Sequence, residues 1–475
     1  MSDLTFLSAV QMAEQIRLKR LSPVELVEAH LEKNARLNPR LNAFVQVNPE
    51  RVRHDARLAQ DAVLRGEAVG PLHGVPISVK SSIDVAGMKV ESGTRLRAGT
   101  VAANDAPLVE RLRRAGAIIL GVTNTPELLM AWETDNDLYG RTNSPWDLER
   151  TPGGSSGGEA AAIACGMSAG GVGSDGGGSI RVPAHFCGIC GLKPTPGRIP
   201  STGHFPASGG PFALLGVVGP MARNVADLKV LFAAMQGPDD GDACAAPVPV
   251  RWPDEKEMTR IKIGYFEDDG RTPVSPEIRQ AVRTAAEALK RAGFQVEAFR
   301  PDGLEEARAL WKTFFVKVGG MLIKPMFHGR AQDISPMLRE FLEWSDNEPE
   351  LTADSVLEAW FRRDTLRGEF LAQMREYSIL LCPPAAIPAF RHRERSWVFE
   401  GNNVQYLDAW SYTEWFNLLG NPAAVVPVTQ SPEGLPVGVQ IVGRPWEEER
   451  VLTVAASLEK ECHGWRMPPL PIGAE

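Results

Sequence analysis

Apolar positions along the chain alternate between helical and strand spacing, and the alternation persists into both halves. Val24, Val27 and Leu31 recur at helical spacing behind Ser22-Pro23-Val24-Glu25, a capping-box pattern with proline at the first helical position. Ser8-Ala9-Val10-Gln11 offers a similar start upstream. Residues 43–47 read as a short strand, and residues 51–65 as a charged surface helix stopped by Gly66. The apolar and β-branched run from Val75 to Val79 predicts a buried strand with Lys80 at its end. Residues 106–115 read as a helix closed by Gly116, and residues 117–122 as the next strand. Strand, helix and strand at this spacing predict a crossover unit in a largely parallel sheet. Further on, Asn224 and Asp227 cap a helix running to Met235, and strands at 261–266 and 294–298 flank a helix from Ser275 to Gly293. An α/β fold follows. Residues 236–254, rich in Pro, Gly and Asp, form the clearest linker, read as a surface crossing within one sheet.

Composition narrows the classes. The chain has 475 residues, 43 % apolar and 23 % charged, the balance of an ordinary soluble globular protein. Its net charge of −8 argues against sequence-independent nucleic-acid binding, which needs a basic face. No apolar run reaches 18 residues, so no membrane span is expected. The first six residues lack the basic start and apolar core of a signal peptide, which makes the cytoplasm the expected location. Six cysteines in a chain this long do not make a disulfide framework. Cys187-Gly188-Ile189-Cys190, a lone C-x-x-C, reads as two buried thiols rather than a zinc site.

The candidate chemistry lies in two serine-bearing glycine stretches, Gly153-Gly154-Ser155-Ser156-Gly157-Gly158 and Gly176-Gly177-Gly178-Ser179. Glycine lets a reacting group come close to main-chain N–H donors. The residues between Ser155 and Ser179 suffice for one helix and a returning strand. A serine nucleophile needs a base. His185 would be carried towards the core by a helix starting at Ser179, and His73 is the nearest upstream histidine. Lys80 is the better candidate, because burial lowers a lysine's pKa and frees its lone pair. Two other motifs fit poorly. Gly171 to Gly176 matches G-x-G-x-x-G but lacks the acidic residue about 20 positions on. Gly154 to Gly158 matches G-x-S-x-G but follows a loop instead of a strand. Residues 201–210 read as a flexible loop and no more, and the aromatics of residues 304–415 divide between core and cavity wall in a way the sequence does not sort.

These residues resemble the amidase signature hydrolases, the family of bacterial amidases and fatty acid amide hydrolase. Lys80, Gly153–Glu159 and Gly173–Pro183 carry the resemblance, Phe186–Thr195 extends it, and Gly434–Pro445 continues it. It implies one large mixed, largely parallel sheet covered by helices on both faces. The implied parts are N-terminal helices over 1–65, a signature core over about 70–235, a variable substrate-side region over about 300–415 and sheet completion over 416–475. Ser179 would be the nucleophile, Ser155 the bridging hydroxyl and Lys80 the base, with Ser156 in support. A cis peptide between Gly154 and Ser155 is also implied. Backbone N–H groups of Gly176, Gly177, Gly178 and Ser179 would hold the oxyanion, at the start of a helix from Ser179. Asp175 and Arg181 either brace that loop or form a plain surface pair. The segment 123–127 is similar to one that lines the family's substrate entrance, making Leu129, Met130 and Trp132 candidate pocket walls, with core packing as the alternative. Ser81, Val122 and Ser174 depart from common family choices, which leaves the substrate and the hydrogen bonding around Lys80 open. The implied reaction is hydrolysis of a small-molecule carboxamide through an acyl-serine, without metal or cofactor. Carbamate, ester or anilide hydrolysis, a glutaminase subunit of a tRNA-dependent amidotransferase and an inactive scaffold are the alternatives. The oligomeric state stays open, a homodimer included.

Overall fold

A computed structural model describes residues 3–207, 209–258 and 260–470. Met1 and Ser2 of the N-terminal segment, Ser208 of the loop 201–210, Thr259 and residues 471–475 lie outside them. The strands of the first half are β1 (Phe44–Val47), β2 (Pro76–Lys80), β3 (Ile118–Thr123), β4 (Gly170–Asp175), β5 (Cys190–Lys193) and β6 (Val217–Ala222). Those of the second are β7 (Lys262–Tyr265), β8 (Gln295–Ala298), β9 (Tyr377–Cys382), β10 (Ser396–Phe399), β11 (Asn402–Gln405), β12 (Ala423–Gln430) and β13 (Pro436–Val442).

Eleven strands form one mixed sheet in the order β1-β3-β2-β4-β6-β5-β12-β13-β9-β7-β8, and β10 and β11 pair separately. Parallel pairing falls in two blocks, β3-β2-β4 and β9-β7-β8. There, helices Pro107–Arg114 and Pro276–Arg291 supply the crossovers between consecutive strands, as the alternation of the sequence predicts. The strands between the blocks are antiparallel, and β1 also pairs antiparallel with β3. Only a short turn joins β12 to β13, a connection that parallel pairing cannot use. The linker 236–254 leaves helix Val225–Met235, which follows β6, and leads through a short helix, Glu255–Met258, to β7 in the same sheet.

Helix Arg181–Cys187 packs on one face of β13, where Gln440 meets Arg181 and the bare Cα of Gly438 faces His185. Helices Pro276–Arg291 and Glu448–Cys462 also pack on β12 and β13. Side chains alternate along a strand, and every residue of β13 and the first six of β12 are buried, so both faces of the sheet are covered there. From Thr151 to Pro200 every residue is buried except Gly176, which places the serine–glycine stretches at the centre of the molecule.

The two glycine loops sit where the main chain needs glycine. Gly153 takes φ 87° and Gly178 φ 113°, left-handed values that a side chain disfavours. Between the serines lie the expected helix, Gly157–Ala164, and the returning strand β4. The next helix starts at Arg181, two residues beyond the expected Ser179, which itself lies in the turn before it. Gly171 to Gly176 runs along β4 and out of its end, not through a strand-to-helix turn, so the dinucleotide fingerprint has no structural counterpart.

A Cβ on Gly171 would overlap the Glu159 carboxylate and approach the Ser78 carbonyl oxygen to 2.6 Å. Gly171→Ala is therefore expected to destabilise the protein by about 1–3 kcal/mol in urea unfolding. Gly368, exposed in the interior of helix Ala353–Gln373, has nothing within 4 Å of its added Cβ. Gly368→Ala should stabilise by about 0.5–1 kcal/mol in the same measurement.

Candidate active site

β2 delivers Lys80 into a fully buried position between β3 and β4. Its Nζ lies 2.7 Å from Ser155 Oγ, 3.0 Å from Ser156 Oγ and 3.0 Å from Ser174 Oγ. These hydroxyls are its hydrogen-bond partners among the described residues. Burial pulls the Lys80 pKa down from 10.5 to about 7, against the opposing pull of the Asp175 and Glu159 charges. Glu159, on the first turn of the helix between the serines, is equally buried and bonds to Ser78 and, at 2.7 Å, to Thr123. Burial pushes its carboxyl up to about 7, with both hydroxyls and Lys80 acting the other way.

The peptide bond between Gly154 and Ser155 is cis. The Ser156 N–H donates to the Ser179 carbonyl at 3.1 Å, clamping the two glycine loops together. Exposure rises in sequence from Lys80, with none, through Ser155 at 1 %, to Ser179 at 8 %. Ser179 borders a cavity of about 250 Å³ with Ser155, Ser174, Asp175 and Gly176. Leu129 and Met130 line it too, and Phe205, Pro206, Phe212, Phe315, Leu322, Ile323 and Met326 contribute to a mostly apolar wall. Leu128 and Leu129 take left-handed φ of 48° and 69°. Glu127, whose carboxylate accepts from Thr94 and from the Ser335 N–H, anchors that bend. A wider groove of about 900 Å³ lies beside helix Pro23–Leu41, β1 and residues 139–143, and holds none of the Lys80 cluster.

Asp175 and Arg181 form no surface pair: both side chains are fully buried and bonded bidentately, at 3.0 and 2.9 Å. Asp175 also accepts from the N–H groups of Gly178 and Ile180 at 2.8 and 3.0 Å. Burial alone would raise its pKa, but the Arg181 charge and hydrogen bonds hold it below the usual carboxylate range. Asn417 donates to Asp175, and Gln440 accepts from Arg181.

Two expectations change. The Gly178 N–H is already committed to Asp175, so of the four expected oxyanion donors only those of Gly176, Gly177 and Ser179 lack an acceptor within the described residues. Trp132 does not line the cavity. Its indole stacks on Trp410 at 5.6 Å, lies beside Trp311 and Tyr406, and donates to the Gly177 carbonyl at 2.8 Å. Neither sequence candidate histidine reaches Lys80. His185 accepts from the Gly438 N–H and bonds the Ile387 carbonyl, and His73 bonds the Ala59 carbonyl. His204 is the histidine on the cavity wall, its Nδ1 2.9 Å from the Pro206 carbonyl. The loop carrying it read as mere flexible chain. Among the described residues no group of three His, Cys, Asp or Glu side chains is placed to hold a metal ion, and no helix is long and apolar enough to cross a membrane.

Removing one partner of a buried ion pair strands the other's charge. Asp175→Asn and Arg181→Met should each lower stability by about 3–5 kcal/mol in denaturant titrations. Because the pair acts as a unit, the double variant is expected to lose clearly less than the sum.

Comparison with known proteins agrees with the geometry. The family model described as Amidase matches residues 25–452. The acylamidase of Rhodococcus erythropolis is 33 % identical over 477 residues, covering 96 % of both chains. The indoleacetamide hydrolase of Bradyrhizobium diazoefficiens is also 33 % identical, over 96 % of this chain and 86 % of its own. A solved bacterial aryl acylamidase of the amidase signature family superposes with a TM-score of 0.88 at 26 % identity, covering all of both chains. With its mixed sheet, its serine–glycine loops and these relatives, the chain belongs to the amidase family, and is an amide-hydrolysing enzyme of the amidase signature type.

Proposed function

We propose that this enzyme hydrolyses apolar carboxamides through an acyl-Ser179 intermediate, with Lys80 and Ser155 as the proton relay. The observation that carries the reading is the Lys80 amine, buried out of water with three hydroxyls for partners. A neutral amine has two N–H donors and one lone pair. Its donors suit Ser156 and Ser174, leaving the lone pair to accept the Ser155 proton. Ser155 then takes the Ser179 proton as Ser179 Oγ forms a bond to the substrate carbonyl carbon. The tetrahedral intermediate collapses as the C–N bond breaks, and the relay run backwards protonates the departing amine. Water, deprotonated by the same relay, next attacks the acyl ester, releasing the acid and restoring Ser179.

The cavity supports the substrate class. Phe205, Phe212, Phe315, Ile323 and Met326 suit an aliphatic or aryl group. The charged side chain on its wall is Asp175, already paired with Arg181, so the charged ends of a glutamine substrate find no free partner there. Apolar amides and anilides therefore rank above glutamine, with carbamates and esters sharing the same carbonyl geometry.

Ser179→Ala is expected to abolish both turnover of para-nitroanilides and labelling by a fluorophosphonate. Stoichiometric labelling of that variant at another residue would overturn the assignment. Activity needs Lys80 uncharged, and its pKa lies at about 7. The sign follows: kcat/KM falls below that pH and rises to a plateau above it, with one acidic limb near neutrality in a pH–rate profile. A profile flat from pH 5 to 9 would remove Lys80 as the base.

A further inference from the structure

The glycine loop before Ser179 is held by its carbonyl oxygens as well as by its N–H groups. Trp311 Nε1 donates to the Gly176 oxygen at 3.0 Å. Trp132 Nε1 donates to the Gly177 oxygen at 2.8 Å, and Thr413 Oγ1 lies 2.9 Å from the same atom. In a trans peptide the C=O and N–H point in opposite directions. Fixing the Gly176 oxygen against Trp311 therefore turns the Gly177 N–H the other way. Likewise, the bonds on the Gly177 oxygen turn the Gly178 N–H towards Asp175, which accepts it at 2.8 Å.

The two peptides are not equally secured. The one between Gly177 and Gly178 is held at both ends, by Trp132 on its oxygen and Asp175 on its N–H, and the Thr413 hydroxyl, shared with the Trp410 carbonyl, lies beside the same oxygen. The one between Gly176 and Gly177 is held by a single bond, from Trp311, and its N–H has no acceptor within the described residues. Glycines on both sides give it freedom to rotate about its flanking dihedrals. Rotated by half a turn, it would present a carbonyl oxygen where a donor is needed. Trp311 sits directly against it: a Cβ on Gly177 would come within 2.6 Å of the indole Cζ2, and Trp311 is fully buried.

We propose that Trp311 is a positioning residue for amide hydrolysis, its indole N–H locking the Gly176–Gly177 peptide so that the Gly177 N–H is available to the developing oxyanion. The inference rests on the acyl-Ser179 reading above. It makes the asymmetry of the loop visible in kinetics, because deleting the Trp311 donor leaves this peptide with no lock, whereas deleting the Trp132 donor leaves its neighbour still held by Asp175, with the Thr413 hydroxyl beside its oxygen.

The test uses Trp311→Phe, Trp132→Phe and a third protein carrying 3-benzothienylalanine at position 311, where sulfur replaces the indole N–H at nearly constant shape. Turnover of the para-nitroanilides of acetic, butyric and phenylacetic acid is measured, with inhibition by phenylacetaldehyde, whose adduct on Ser179 carries an oxyanion. Both changes at position 311 should lower kcat roughly 10- to 100-fold while KM stays within about twofold, since one oxyanion donor acts in the transition state alone. Aldehyde affinity should fall in parallel with kcat, and Trp132→Phe should lose clearly less. If Trp311→Phe fails to fold, the benzothienyl protein alone decides. Unchanged kcat in that protein, a loss confined to KM, or an equal loss at Trp132 would overturn the proposal. Ser179→Ala separates the two layers: an active Ser179→Ala protein sinks the acyl-serine reading, while an inactive one beside a fully active benzothienyl protein sinks only the role of Trp311.

Discussion

The arrangement depends on keeping one amine away from water. Lys80 is a residue type seldom found fully inside, and here it ends a strand flanked by β3 and β4. Ammonium desolvation is expensive, and among the described residues no carboxylate approaches within bonding distance to offset it, so the proton leaves near neutrality. Three hydroxyls satisfy what remains. A hydroxyl is the right neighbour for this purpose, because it can accept or donate as the proton moves, whereas a carboxylate would pin the amine in its charged form. Glu159 and Asp175 act on Lys80 through space only, and each is occupied by other partners.

A second constraint concerns the loop before Ser179. The Asp175–Arg181 pair is a costly thing to bury, and its worth as stability is doubtful in general. Here its hydrogen bonds do geometric work: Asp175 gathers the N–H groups of Gly178 and Ile180, and Arg181 ties the turn to Asn417 and Gln440. Aromatic rings fill the space that the glycines leave. Phe315 abuts Gly176 and stacks on Trp311, which abuts Gly177. The absence of side chains on the loop is thus a packing requirement as much as a conformational one.

Much of this was legible in the sequence, and for identifiable reasons. The strand ending at Lys80 and the helix between the serines follow from apolar runs and glycine punctuation, which report local structure directly. The serines stood out because hydroxyls among glycines are chemically distinctive. What escaped depends on where individual side chains end up, which neither periodicity nor composition reports. Trp132 reads as pocket wall or core with equal ease, and only its place among Trp410, Trp311 and Tyr406 decides. The use of the Gly178 N–H was hidden because Asp175 must fold back three residues to take it. Residues 201–207 read as idle loop on composition, yet His204, Phe205 and Pro206 stand on the cavity wall. The signal available there was the Phe-Pro pair, apolar bulk in a stretch otherwise built of small residues.

The ties from Thr413, Asn417 and Gln440 to the loop at 175–181 carry a consequence for biosynthesis. Both serines and the lysine leave the ribosome long before those three residues exist. β12 and β13, which follow β5 in the sheet order, are made in the same late stretch, Gln440 itself lying in β13. A growing chain therefore holds both serines and the lysine without the scaffold that orients them. The loop at 175–181 gains its full set of ties only once the chain is made through Gln440.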